Sequence, residues 1–151
     1  MLRSLSNNRA TPRSLPRGRL AAIRYIPRSL VIVAATRLVL TFSSLSRLRQ
    51  WLLPPVAPEH QDLVEVGRVA WSVRLVSYVV PFASCLTQAQ ACQILLARCG
   101  IGSKLCLGVR EGRSGGLEAH AWVICDGKLV LGGEPGRVAT FRLLSELGPV
   151  R

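Results

Sequence analysis

Between Leu63 and Val73, apolar residues recur as Leu63, Val66, Ala70 and Val73, the i, i+3, i+4 spacing that gathers side chains on one helix face. Pro81 ends that pattern, and Glu59 and Asp62 lie ahead of it, where a helix N-terminus favours negative charge. A second helix is expected from Cys85. The run CLTQAQACQILLARC holds strong helix formers and meets neither proline nor glycine until Gly100, a suitable C-terminal cap. Beyond Gly100 the period falls to two: Leu105, Leu107 and Val109 alternate with Lys104, Cys106 and Gly108, which predicts a strand. A glycine-rich loop over 112–116 leads to a second strand around His120 to Cys125, and Asp126-Gly127 is a two-residue hairpin signal before a third, Lys128 to Leu131. Such a hairpin pairs Cys125 with Lys128, Ile124 with Leu129, Trp122 with Leu131 and His120 with Gly133. Helices followed by antiparallel strands describe one α+β domain.

The most apolar run, Leu30 to Phe42, is interrupted by Arg37 and is shorter than the roughly 20 residues a membrane span needs. It reads as a buried or partner-docked helix, with an interfacial helix as the alternative. Pro54, Pro55 and Pro58 then form a stiff connector. Residues 1–28, rich in Arg, Ser and Pro and free of acid, predict a floppy arm, although a transit peptide or an early start codon has the same composition. The chain thus divides into an arm over 1–28, an apolar helix and connector over 29–58, and a folded domain over 59–151.

Charge refines this division. The net charge of +12 is concentrated in the first third, since no Asp or Glu precedes Glu59 while arginines run from Arg3 to Arg49. The rest is nearly balanced. With 5% aromatic residues and no stacking platform in the arm, nucleic acid is not an expected partner, whereas weak contact with a membrane surface stays open.

Five cysteines, an odd number with no secretory signal ahead of them, point to a reducing compartment. Cys85, Cys92 and Cys99 are seven residues apart, about 10.5 Å along a helix and beyond disulfide reach. The C-x₆-C spacing also lacks the close ligand pairs of a zinc site. Cys85 alone falls at a helix start, where the dipole favours an anion and free N–H groups could hold an oxyanion. The chain has two histidines, His60 and His120, and His120 shares a strand face with Trp122, an indole able to exclude water. Asp126 is about 20 Å from His120 along an extended strand and cannot orient it. Glu134 is the nearest carboxylate in sequence to the position opposite His120, and Gly132 and Gly133 permit a bulge that turns it inward. Taken singly, Cys85 reads as a packed cysteine and His120 as a core histidine. Together they are the thiol and base that nucleophilic catalysis requires.

The segments CLTQAQACQILLARCGIGSKLCLGV and AHAWVICDGKLVLGG, with the valine-rich helix ending in Pro81-Phe82, resemble the transglutaminase-like leader peptidases of lasso-peptide biosynthesis. The likeness covers roughly Val64 to Leu144. It implies a transglutaminase-like, papain-like α+β fold and a cytoplasmic bacterial cysteine protease that cuts the leader from a precursor peptide before macrolactam cyclisation. Cys85 matches the family's nucleophile and His120 its base. The family's third residue, usually an acid, would fall near Gly132, so a backbone carbonyl or Glu134 is left to orient His120. The resemblance further implies a separate leader-recognition protein, contact with the macrolactam cyclase, and no metal or organic cofactor. A catalytically inactive binding module in the same pathway is the alternative.

Overall fold

A computed structural model of the chain describes residues 19–55, 62–113 and 115–149. Helix begins earlier than the sequence pattern suggests. α1 (Arg19–Ile23) leads into α2 (Tyr25–Phe42) through Arg24, whose backbone stays helical at φ −60° and ψ −23°. Residues 19–28, expected as part of the arm, are therefore helical. Ala22 and Tyr25 are buried there, and the Tyr25 hydroxyl donates to the Glu65 carboxylate. Residues 1–18 lie outside the described residues, as do Pro58, Glu59 and His60.

The extension changes the reading of the apolar helix. Ala21–Phe42 now runs for 22 residues and holds an 18-residue stretch of mean hydropathy 1.4, long and apolar enough by composition to cross a membrane. It nevertheless contributes to the core, where Ile32 and Val33 are buried and the Ser29 and Ser72 hydroxyls share a 2.7 Å hydrogen bond. α3 (Leu45–Leu52), which the pattern did not suggest, starts at Ser44, whose hydroxyl accepts from the Arg47 N–H. α4 (Leu63–Ser77) starts as expected beside Asp62, whose carboxylate accepts the Val64 and Glu65 N–H groups at 2.8 and 3.3 Å. α5 (Cys85–Arg98) begins at Cys85, after the Ser84 cap.

The sheet consists of β1 (Lys104–Glu111), β2 (Leu117–Cys125), β3 (Lys128–Leu131) and β4 (Arg142–Leu147), in the order β3-β2-β1-β4 with every pair antiparallel. A short α6 (Pro135–Val138) joins β3 to β4. The architecture is α+β, as the succession of periods predicts. α2, α4 and α5 pack on one another, and α5 lies against β1 and β2. Val33, Val69, Val73, Ile94, Leu96, Leu105 and Val123 close this core. The opposite sheet face carries a smaller cluster of Cys106, Trp122 and Phe141. Cys106, on the strand face opposite Leu105, is buried as well, because the sheet is covered on both faces there.

The β2–β3 register departs from the expected hairpin. Cys125 faces Lys128 and Ile124 faces Leu129, but the pairing then shifts and Leu131 faces Val123 rather than Trp122. A bulge at Val130 explains the slip, since Val130 and Leu131, neighbours in sequence, are both buried. It advances β3 by one residue and places Gly132 beside Trp122, where Gly133 had been expected beside His120.

Candidate active site

Ser84 has extended backbone and its hydroxyl accepts the Thr87 N–H, while its carbonyl accepts the Gln88 N–H at 3.0 Å. These bonds use the third and fourth donors of the first turn. Among the described residues, the Cys85 and Leu86 N–H groups remain to bind an anion. The Cys85 side chain is half-buried at the start of α5.

Cys92, Cys106 and Cys125 are buried, and Cys99, like Cys85, is partly exposed. Cys92 is pushed up to about 12 and Cys106 to about 11, and Cys99 and Cys125 are raised as well, each chiefly by desolvation. These four are held as neutral thiols near pH 7, and all five cysteines are free. Ala89, Cys92 and Leu96 are fully buried on the stripe that links Cys85 to Cys99, so the heptad spacing serves packing.

His120 enters from β2, partly exposed, with Trp122 beside it at 6.2 Å between ring centroids and Phe141 at 5.1 Å. The indole contact is the one that the strand face predicts. Phe141, beyond the expected strands, is an addition. The His120 Nε2 lies 2.6 Å from the Gly132 carbonyl oxygen. A carbonyl can only accept, so Nε2 carries the proton and, in the neutral ring, Nδ1 is the acceptor.

Gly132 is shaped for this contact. Its φ of +114° lies outside the range that other residues adopt, and an added Cβ would stand 2.3 Å from Trp122 Cβ and 2.7 Å from Trp122 Cα. Gly108 clears the other side, since a Cβ there would lie 2.7 Å from the indole edge.

Cys85, His120 and Glu134 line one cleft of about 480 Å³, together with Arg74, Tyr78, Gln88, Gly132, Gly133 and Arg137. Glu134 is exposed at the N-cap position of α6, and Asp126 stands at the far end of the β2–β3 hairpin. Sequence reasoning missed Arg74, Tyr78, Gln88 and Arg137. Gln88 was in reach of it, because i+3 from Cys85 lies on the same helix face; its amide donates to the Ala83 carbonyl at 3.1 Å. Arg74 and Tyr78, four apart at the end of α4, carried no signal before their packing was known. Two guanidinium groups against one carboxylate make the described lining favourable to developing negative charge. Among the described residues, no three His, Cys, Asp or Glu side chains come together as a metal site.

The arrangement therefore combines a thiol at a helix start, unused N–H donors, and an imidazole of fixed tautomer within one cleft. Neither the curated proteins nor the solved structures compared with the chain include a match. A profile of the transglutaminase-like superfamily, however, matches residues 29–146, from within α2 to the end of the sheet. On that match, and with the fold in agreement, the chain belongs to the transglutaminase-like superfamily.

Proposed function

We propose that the chain is a cytoplasmic cysteine peptidase that removes the leader from a lasso-peptide precursor before a separate enzyme closes the macrolactam. The superfamily includes cysteine proteases. The observation that carries the reading is the cleft shared by Cys85 and His120, with the ring anchored through Nε2 to the Gly132 carbonyl. The motifs around Cys85 and His120 supply the substrate class, and the precursor arrives with a separate leader-recognition protein.

In the reaction, Nδ1 of His120 takes the Cys85 proton and the thiolate attacks the scissile carbonyl carbon. The oxyanion forms at the first turn of α5, within reach of the Cys85 N–H. Collapse breaks the C–N bond, the leaving amine takes the proton from the imidazolium, and the leader's C-terminal acyl group stays on sulfur. Water, deprotonated by Nδ1, then releases the leader as a carboxylic acid and regenerates the thiol. Trp122 and Phe141 cover the ring and limit its access to bulk solvent.

Co-expression with the short open reading frames beside the gene, followed by mass spectrometry, tests the reading. A leader fragment should form with the wild type and disappear with Cys85→Ala. A fragment undiminished in that variant, or none from the wild type, overturns it. The inactive-module alternative predicts instead that iodoacetamide alkylates Cys85 no faster than an unactivated, solvent-exposed thiol near neutral pH.

A further inference from the structure

α2 reverses the usual placement of polar and apolar residues. Its inward face includes Ser29 and Thr36, both wholly buried, while Leu30, Val31, Leu38 and Phe42 face outward at 43%, 65%, 60% and 83% exposure. On a 3.6-residue period, Ile23, Leu30, Val31, Leu38 and Phe42 fall on one face, opposite Ala22, Ser29, Ile32, Val33 and Thr36. A helix apolar all round is one whose outward face meets something other than water.

Charge identifies that surface. Arg28 flanks the apolar face on one side and Arg37 on the other, with no acidic residue in the helix itself, while Arg24 donates to the Tyr25 hydroxyl, which in turn donates to Glu65 of α4. Trp51, at the end of α3, is 73% exposed, and indoles favour the headgroup level of a bilayer. The same helix borders a cleft of about 540 Å³ in which Val31, Ile32 and Leu95 are accompanied by Arg28 and Arg98. An apolar strip between guanidinium groups, beside an apolar cleft with cationic residues, is complementary to a surface with anionic headgroups over acyl chains. A protein partner would need acidic groups on both flanks of a shaped apolar ridge; a bilayer supplies both without shape.

The geometry points to the outward face of α2 as a peripheral anchor on an anionic membrane. The helix lies along the surface and does not cross it. Crossing would pull Tyr25, Ile32 and Val33 from the core and break the Ser29–Ser72 bond. The inference is independent of the peptidase reading.

The full chain should co-sediment with vesicles containing about one third phosphatidylglycerol and leave phosphatidylcholine vesicles largely unbound, and binding should fall as salt is raised. Leu38→Glu/Phe42→Glu should weaken partition at least tenfold, and Arg28→Gln/Arg37→Gln should weaken it selectively at low salt. The melting temperature should stay within a few degrees of wild type in both, because all four side chains lie outside the core. No binding to the anionic vesicles, or equal binding by the glutamate variant, overturns the proposal. So does a wild-type dimer in light scattering that the glutamate variant converts to monomer without any change at the vesicle, since the face would then join two copies of the chain.

Discussion

At Gly132 two requirements meet: the main chain must pass within contact distance of Trp122, and its carbonyl must point at His120. Gly132→Ala violates the first and so disturbs the second. It should lower stability by about 2–3 kcal/mol in urea titration and reduce cleavage beyond what that loss explains. His120→Gln, which keeps a polar side chain without a base, should leave the fold intact and lower kcat by about 10²–10⁴-fold in a leader-cleavage assay. Cys92 makes a different prediction. Burial raises its thiol from 9.0 to about 12, so the folded chain keeps a proton that the unfolded chain releases. Its contribution is complete below pH 9 and is lost as pH rises toward 12, by up to about 1.4 kcal/mol per pH unit. Urea midpoints followed from pH 8 to 11 should fall for wild type, and less steeply for Cys92→Ala. The positions of Cys85 at a helix start and of His120 on a strand were legible from the helix formers and the hairpin signal around them. The partner of His120 was legible only as a place near Gly132, since a main-chain oxygen has no residue type of its own.

Among the elements, α5 carries the most of the site, and its start is set by one side chain. Removing the Ser84 hydroxyl leaves the Thr87 N–H without its cap, so Ser84→Ala should cost about 1 kcal/mol in thermal or chemical unfolding. Fraying of that turn should also slow cleavage by more than a distant cap loss of equal size, for which Ser44→Ala in α3 is the comparison. α4 and β1 were readable from their periods, whereas α5, buried all round over 89–97, was readable from its run of helix formers up to Gly100, and the β2–β3 hairpin from Asp126-Gly127. β4 and α3 were not. Leu143 and Leu144 are exposed side by side in β4, which destroys alternation, and α3 buries only Leu48. The β2–β3 register failed where a bulge entered, since matching apolar with apolar residues fits Leu131 beside Trp122 as well as beside Val123.

For the molecule as a whole, the two ends of the fold are joined through Gln93. Buried in α5, it donates to the Ser103 and Leu147 carbonyls at 3.1 and 2.9 Å and accepts from Arg49, which also donates to the Gly148 carbonyl at 2.6 Å. This knot connects α3, α5 and the last strand, and no periodicity reveals it. Gln93→Leu keeps the approximate volume but strands two carbonyls and part of a guanidinium, so it should lower stability by about 2–4 kcal/mol. Local hydrogen exchange should increase in β4, 54 residues away in sequence. The α+β class was legible; the closure of the last strand on α5 was not. The Gly132 carbonyl also bears on how activity depends on acidity. A carboxylate partner would take up its own proton in acid and release the imidazole from its anchor, whereas an amide oxygen stays unprotonated throughout the working range. On the peptidase reading, the anchor of His120 therefore adds no ionisation of its own to the acid limb of the rate profile.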